Sequence, residues 1–174
     1  MDMNVRPEKI VTDRLTLKAY GDEDQGSVIA MAKDPLVTKS YMIYDFPNQE
    51  AELKFFHRLK ALTEDPKRFV YGIFLGQEAI GFLNEVHIED KEIELGYFIA
   101  SKHWNQGYAT EALSAVIPIL FDMGYERIVA AHFEENPASG CVMAKAGMHR
   151  IDREEELEYR GKMRHCLYYG IEKK

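Results

Sequence analysis

The sequence predicts an α/β fold of the α+β kind, and three observations predict it. First, strand-like alternation and helix-like periodicity take turns along the chain. Residues 12–19 alternate polar and apolar, whereas Leu53, Phe56, Leu59 and Leu62 recur at helical spacing. Second, Gly76-Gln77 separates two apolar runs, the pattern of a β-hairpin. Third, caps and stops bracket the helical stretches: Asn48 and Asn136-Pro137 at starts, Gly124 and Gly147 at ends.

The elements follow in order. A strand over 12–19 leads to a helix from a cap at Asp22 to about Ala32, which Pro35 keeps from continuing. A second helix spans 49–64, and the hairpin spans 70–75 and 79–86. Residues 92–100 form a strand with Glu94, Gly96 and Phe98 on one face and Leu95, Tyr97 and Ile99 on the other. A long helix covers 107–123, with an apolar stripe of Ala109, Ala112, Leu113, Val116 and Leu120. Pro118 within it removes a hydrogen bond or kinks it. A short strand at 127–132 precedes a helix from Asn136 to Gly147. Strands at 149–155 and 164–171 close the chain, with the charged segment 152–164 expected as a solvated hairpin tip.

At 174 residues the chain suits one domain, 1–174, with a proper core. It is 46% hydrophobic and 29% charged, an ordinary balance for a soluble domain. No apolar stretch is long enough for a bilayer and the N-terminus has no signal-peptide core, so a cytoplasmic protein without membrane partners is expected. Cys141 and Cys166 have neither metal nor redox spacing, and lone His103, His132 and His165 have no ligand spacing. No metal is therefore expected. A net charge of −7 argues against general nucleic-acid binding and suits a cationic substrate.

The segment 103–113, HWNQGYATEAL, carries the most information. A glycine and small residues stand where a strand gives way to a long helix. Orphan amides and the helix dipole favour an anion there, and Gly107 lets a ligand approach the main chain. No Gly-Lys-Ser/Thr follows, which excludes a P-loop.

The blocks TDRLTLKAY (12–20), AIGFLNEV (79–86), ELGYFIASKHWNQGYATEAL (94–113) and ENPASGCVMAKAGM (135–148) resemble the GNAT acetyltransferase superfamily. The similarity is greatest to its ribosomal-protein N-terminal acetyltransferase branch. The resemblance implies a single GNAT-like domain with a mixed, mostly antiparallel central sheet of about six to seven strands flanked by helices. The family's phosphate pattern runs Gln or Arg, two residues, Gly, one residue, Gly or Ala. Gly107 and Ala109 match it, while Trp104 departs at the first position. The resemblance further implies that the amides of Asn105, Gln106, Gly107, Tyr108, Ala109 and Thr110 hold the pyrophosphate of acetyl-CoA. The edge of the 92–100 strand then pairs with pantetheine, and an amide near Ile99 polarises the thioester carbonyl. Asn136 and Ser139 fall at the second cofactor motif, and Lys145 lies where a cation meets the nucleotide end.

Acetyl transfer to an amine needs a base, a carbonyl donor and an acid for the departing thiolate. Glu94 is the leading candidate base, on the strand expected to carry the thioester, with Glu85 and His87 on the neighbouring strand as competitors. Ser139 is the candidate acid, with a tyrosine as alternative. Trp104 and Tyr108 are candidates to line the cleft or to pack. Tyr41, Tyr44 and Phe46 lie where family acceptor loops sit, with binding and core roles both open.

The expected activity is acetyl-CoA-dependent N-acetylation of a primary amine, on a protein N-terminus or a small molecule, by direct attack in a ternary complex. Acidic groups such as Asp45, Glu85 and Glu94 would draw the cationic acceptor. The alternative is a non-catalytic acyl-CoA-binding regulatory module. A homodimer is compatible with either.

Overall fold

The computed structural model describes residues 5–174. Its strands take the order β1-β2-β3-β4-β5-β6-β8-β7 in an eight-stranded sheet flanked by helices. The chain divides into two compact units, Val5–Asn84 with Tyr97–Tyr108, and Glu85–Gly96 with Ala109–Lys174. Strands β4 (Glu78–Glu89) and β5 (Glu92–Ile99) each contribute residues to both.

In the first unit, β1 (Ile10–Val11) and β2 (Leu15–Lys18) pair antiparallel, as do β2 and β3 (Val70–Leu75). β3 continues antiparallel into β4 across Gly76, whose φ of 60° meets the needs of the tight turn. The strand β1 exceeds the expected count because two residues carry no periodicity to read. The expected first helix is split. A 3-10 turn over Asp22–Asp24 precedes α1 (Gln25–Lys33). Asp24 closes that 3-10 turn by accepting the Gly21 amide at 2.7 Å, and the expected cap at Asp22 is not made: Asp24 stands at the N-cap position of α1 without a side-chain cap hydrogen bond.

Pro35 ends α1 and opens a short helix α2 (Pro35–Thr38), where its fixed φ suits the first position. Asn48 caps α3 (Gln49–Glu64) by accepting the Ala51 amide at 2.9 Å. Phe56 and Leu59 of α3 join Tyr20, Val28, Met31, Phe74, Phe82 and Phe98 in a buried core. Tyr41 and Phe46 pack against that core, and the Tyr41 hydroxyl donates to Asn84 Oδ1 at 2.8 Å. Tyr44 stays exposed.

In the second unit, β5 pairs parallel with β6 (Arg127–Phe133) from Glu92↔Arg127 to Leu95↔Ala130. Helix α4 (Tyr108–Asp122) buries Ala112, Leu113, Val116, Ile117 and Leu120, and it runs on through Pro118, which is exposed. Gly124 and Gly147, at φ of 105° and 95°, follow the ends of α4 and α5 (Pro137–Lys145). Asn136 precedes α5 in the N-cap position but makes no side-chain cap hydrogen bond.

The last two strands depart from expectation. β7 (His149–Tyr159) and β8 (Lys162–Glu172) pair as far as Tyr159↔Lys162, so most of the segment 152–164 is strand, not a solvated tip. Only Arg160 and Gly161 turn, both with positive φ. The physical reason is a satellite core. Tyr159 is 1% exposed and, with Leu157, packs among Phe133, Cys166 and Tyr168, which offsets the charges on the other face.

Candidate active site

The strand β5 ends at Ile99 and the chain turns through a 3-10 helix, Ser101–His103, before α4 begins at Tyr108. Side chains fix this turn from within. The Trp104 indole N–H donates to the Ile99 carbonyl at 2.7 Å. Ser101 hydrogen-bonds Asp34, and the His103 and Tyr108 rings meet edge to face with centroids 6.1 Å apart. Asn105 and Gly107 adopt positive φ, 61° and 81°. Two residues with left-handed backbone so close together curl the chain, and Asn105, Gln106 and Gly107 are exposed.

Arg14 reaches this curl from the turn between β1 and β2. Its Nη1 donates to the Gln106 carbonyl at 2.8 Å, and its guanidinium lies 4.5 Å from the Tyr108 ring centroid. The contact spans 92 residues of sequence, so no local pattern signals it.

Glu94 lies within the second unit, half-buried on β5. Burial pushes its carboxyl above the ordinary carboxylate range. The charge of Glu155 pushes it further, against the opposing influence of His87 and Arg153. Glu155 is held by the Tyr168 hydroxyl, which donates to its Oε2 at 2.8 Å. Two positions before Glu94, the case reverses. Arg153 pairs with both carboxylate oxygens of Glu92, at 2.7 and 3.1 Å, and holds that carboxyl below its ordinary range. Arg153 also lies 5.5 Å from the Tyr168 ring centroid. Burial and then the neighbouring acids push the Cys166 thiol up to about 11, leaving it a poor nucleophile. Of the competitors for the base, His87 is well exposed beside Glu89. Glu85 acts on Tyr125, whose hydroxyl is raised first by burial and then by this charge.

On α5, Asn136 and Ser139 belong to the first turn, and the Ser139 amide bonds the Asn136 carbonyl at 3.3 Å. Lys145 is the last residue of the same helix, about 9 Å from Ser139 along its axis at 1.5 Å per residue. The structure therefore joins Asn136 with Ser139 and sets Lys145 apart. Beneath the first turn lies His132, buried, with Nδ1 on the Phe133 carbonyl at 2.7 Å. A Cβ on Gly140 would stand only 2.7 Å from its Nε2, so the helix can seat over this ring only with glycine there. Among the described residues, no group of three or more His, Cys, Asp or Glu side chains is placed to hold a metal ion.

The GNAT acetyltransferase domain model matches residues 14–149, running through both units. The chain belongs to the GNAT acetyltransferase family. This GNAT chain is 29% identical to the uncharacterized N-acetyltransferase YoaA of Bacillus subtilis over 80% of its length and 81% of that protein. It is 28% identical to the uncharacterized N-acetyltransferase p20 of Bacillus licheniformis, over 76% of this chain and 77% of that one.

Solved structures share the fold at lower identity. One is the Salmonella typhimurium acetyltransferase that modifies the N-terminal serine of ribosomal protein L7/L12. It has a TM-score of 0.80 and 20% identity over 96% of this chain and all of that one. Another is the microcin C7 self-immunity acetyltransferase MccE, solved with acetyl-CoA and AMP. Its TM-score is 0.79 and its identity 17%, over 97% and 98%.

For a GNAT acetyltransferase the residues whose contacts the sequence does not signal are Arg14, within the 12–20 block, and Arg153, Glu155 and Tyr168, outside all four blocks. Each acts through a partner distant in sequence.

Proposed function

We propose that this chain is an acetyl-CoA-dependent N-acetyltransferase acting on a primary amine, a protein N-terminus or a small-molecule amine, by direct attack in a ternary complex. Residues 1–174 act as one acetyltransferase domain. The observation that carries the reading is Glu94, half-buried and with its carboxyl pushed up beside Glu155. A carboxylate so placed accepts a proton more readily than a solvated one, which a general base for an ammonium acceptor needs. The nearby charge of Glu155 also favours a cationic acceptor.

In this reading the curl of residues 105–110 holds the pyrophosphate on its amides, and Asn136 and Lys145 add cofactor contacts. The edge of β5 pairs with the pantetheine arm. Glu94 takes a proton from the acceptor ammonium. The freed amine lone pair attacks the thioester carbonyl, whose oxygen is stabilised by an amide near Ile99. Attack forms the C–N bond, the adduct nitrogen loses a second proton to solvent, and collapse restores the carbonyl and breaks the C–S bond. Ser139 delivers a proton to the thiolate and is re-protonated from solvent, Glu94 releases its proton to solvent, and the nitrogen's third hydrogen stays in the amide product. No covalent enzyme intermediate is required, since Cys141 is not in a nucleophile–base arrangement and Cys166 is buried with a raised thiol.

The test is thiol release from acetyl-CoA with a panel of amines, with the product identified by mass spectrometry. Acetyl-amide formation on one class of acceptor supports the reading. Thermal stabilisation by acetyl-CoA without turnover on peptides, polyamines, amino sugars or amino-acid amides would make the chain a binding module.

A further inference from the structure

We propose that Arg14 is a further cofactor-binding residue, one that braces the phosphate curl and brings its charge to the phosphates of acetyl-CoA. The proposal rests on the acetyl-CoA reading above. Three contacts converge on three successive residues. Nη1 donates to the Gln106 carbonyl, the guanidinium stacks over Tyr108, and Nη2 lies 3.3 Å from where a Cβ on Gly107 would stand.

An anion-binding curl has two requirements: its amides must point at the ligand, and its carbonyls must point elsewhere. Arg14 meets the second by engaging the Gln106 carbonyl, whose dipole would otherwise be free to turn toward the phosphate. Stacking on Tyr108 fixes the plane of the guanidinium, and the tyrosine opens α4, so one side chain ties the curl to the helix start. The contact with Gly107 gives that glycine a second role, because its missing Cβ admits Arg14 as well as ligand. Arg14 is an exposed residue beside this stretch, and its guanidinium would add a Coulombic attraction to a phosphate bound there. Lysine cannot reproduce this set, because an ammonium has no plane to stack while donating sideways.

The experiment measures acetyl-CoA binding by thermal shift and titration, and kcat/KM with acetyl-CoA and with S-acetylpantetheine, a donor that lacks phosphate. Arg14→Gln is expected to raise the acetyl-CoA Kd about tenfold or more, on the scale of a charge-assisted contact. It should leave kcat/KM for S-acetylpantetheine unchanged and flatten the salt dependence of acetyl-CoA binding. Arg14→Lys should recover only part of the loss. Equal losses for both donors would reduce Arg14 to general scaffolding and overturn the proposal, as would unaltered acetyl-CoA binding in Arg14→Gln. A wild-type protein that neither binds nor turns over acetyl-CoA would instead overturn the underlying functional reading.

Discussion

In the segment 101–108, proposed to hold the cofactor's phosphates, the working groups would belong to the main chain, and the side chains around it bend that chain. In the cluster of Glu92, Glu94, Arg153, Glu155 and Tyr168, proposed to hold the base, the working groups would be side chains, with strands as their frame. The two regions respond to substitution differently for that reason. A main-chain site is broken by changing what conformation the backbone can adopt. A side-chain site is broken by removing one charge, and it is tuned by removing that charge's neighbour. The adjacent carboxyls Glu92 and Glu94 make the point within one strand. An arginine pair pulls the first down, while burial and a like charge push the second up.

The largest effect should come from Gly107→Val. At φ of 81° a β-branched residue is strained regardless of space, and its Cβ would also press on Arg14. Wild-type protein at a hundredfold excess of acetyl-CoA over Kd should gain about 2.7 kcal/mol, read as a Tm rise. A Gly107→Val variant with native circular dichroism should lose most of that rise. An intact rise would place the phosphates elsewhere.

Next, Glu94→Gln should lower kcat by about a hundredfold, the low end for loss of a general base, with little change in acetyl-CoA affinity. Raising the pH should restore part of the rate by supplying neutral amine directly. Normal turnover at all pH values would transfer the role to Glu85 or His87.

Ser139→Ala is expected to cost about tenfold in kcat and in kcat/KM alike, as loss of a group engaged only in the transition state does. A rise in the acetyl-CoA KM at constant kcat would make Ser139 a binding residue.

The smallest effect, and the sharpest test of the comparison, is on the pH profile. The raised carboxyl of Glu94 means that the base is protonated at pH values where an ordinary carboxylate is not, so activity falls early on acidification. Glu155→Gln removes a like charge, so the acid limb of kcat/KM should move to lower pH with turnover retained. Stability has its own sign. A carboxyl raised in the folded state binds protons more tightly there, so its contribution is full at low pH and lost as pH rises through the raised value. Glu155→Gln should therefore lessen the loss of Tm in that window. An acid limb that stays in place would separate Glu155 from the base.

The helices and turns could be read from sequence because their determinants are local. Helices α3 and α4, the β3–β4 hairpin and the stops at Gly124 and Gly147 each depend on spacing, caps and glycine conformation within a few residues. The same holds for the curl at Gly107. Reading failed where a segment's fate depended on distant partners. The charged stretch 152–164 reads as solvated, yet its Leu157 and Tyr159 find a core in Phe133 and Cys166, and the strands lengthen to reach it. The Asn136 cap follows a local rule, but its side chain makes no such bond in place.

By itself, then, the sequence determined the alternation of elements, the glycine at the turn into α4 and the placing of Glu94 on its strand, since each follows from neighbours along the chain. Only the tertiary structure decided that Arg14 clasps Gln106, that Arg153 neutralises Glu92, and that Tyr168 sets Glu155 to act on Glu94. The reason is that charge and burial act through space. Their strength depends on distances of a few ångströms between residues that lie tens of positions apart in the chain.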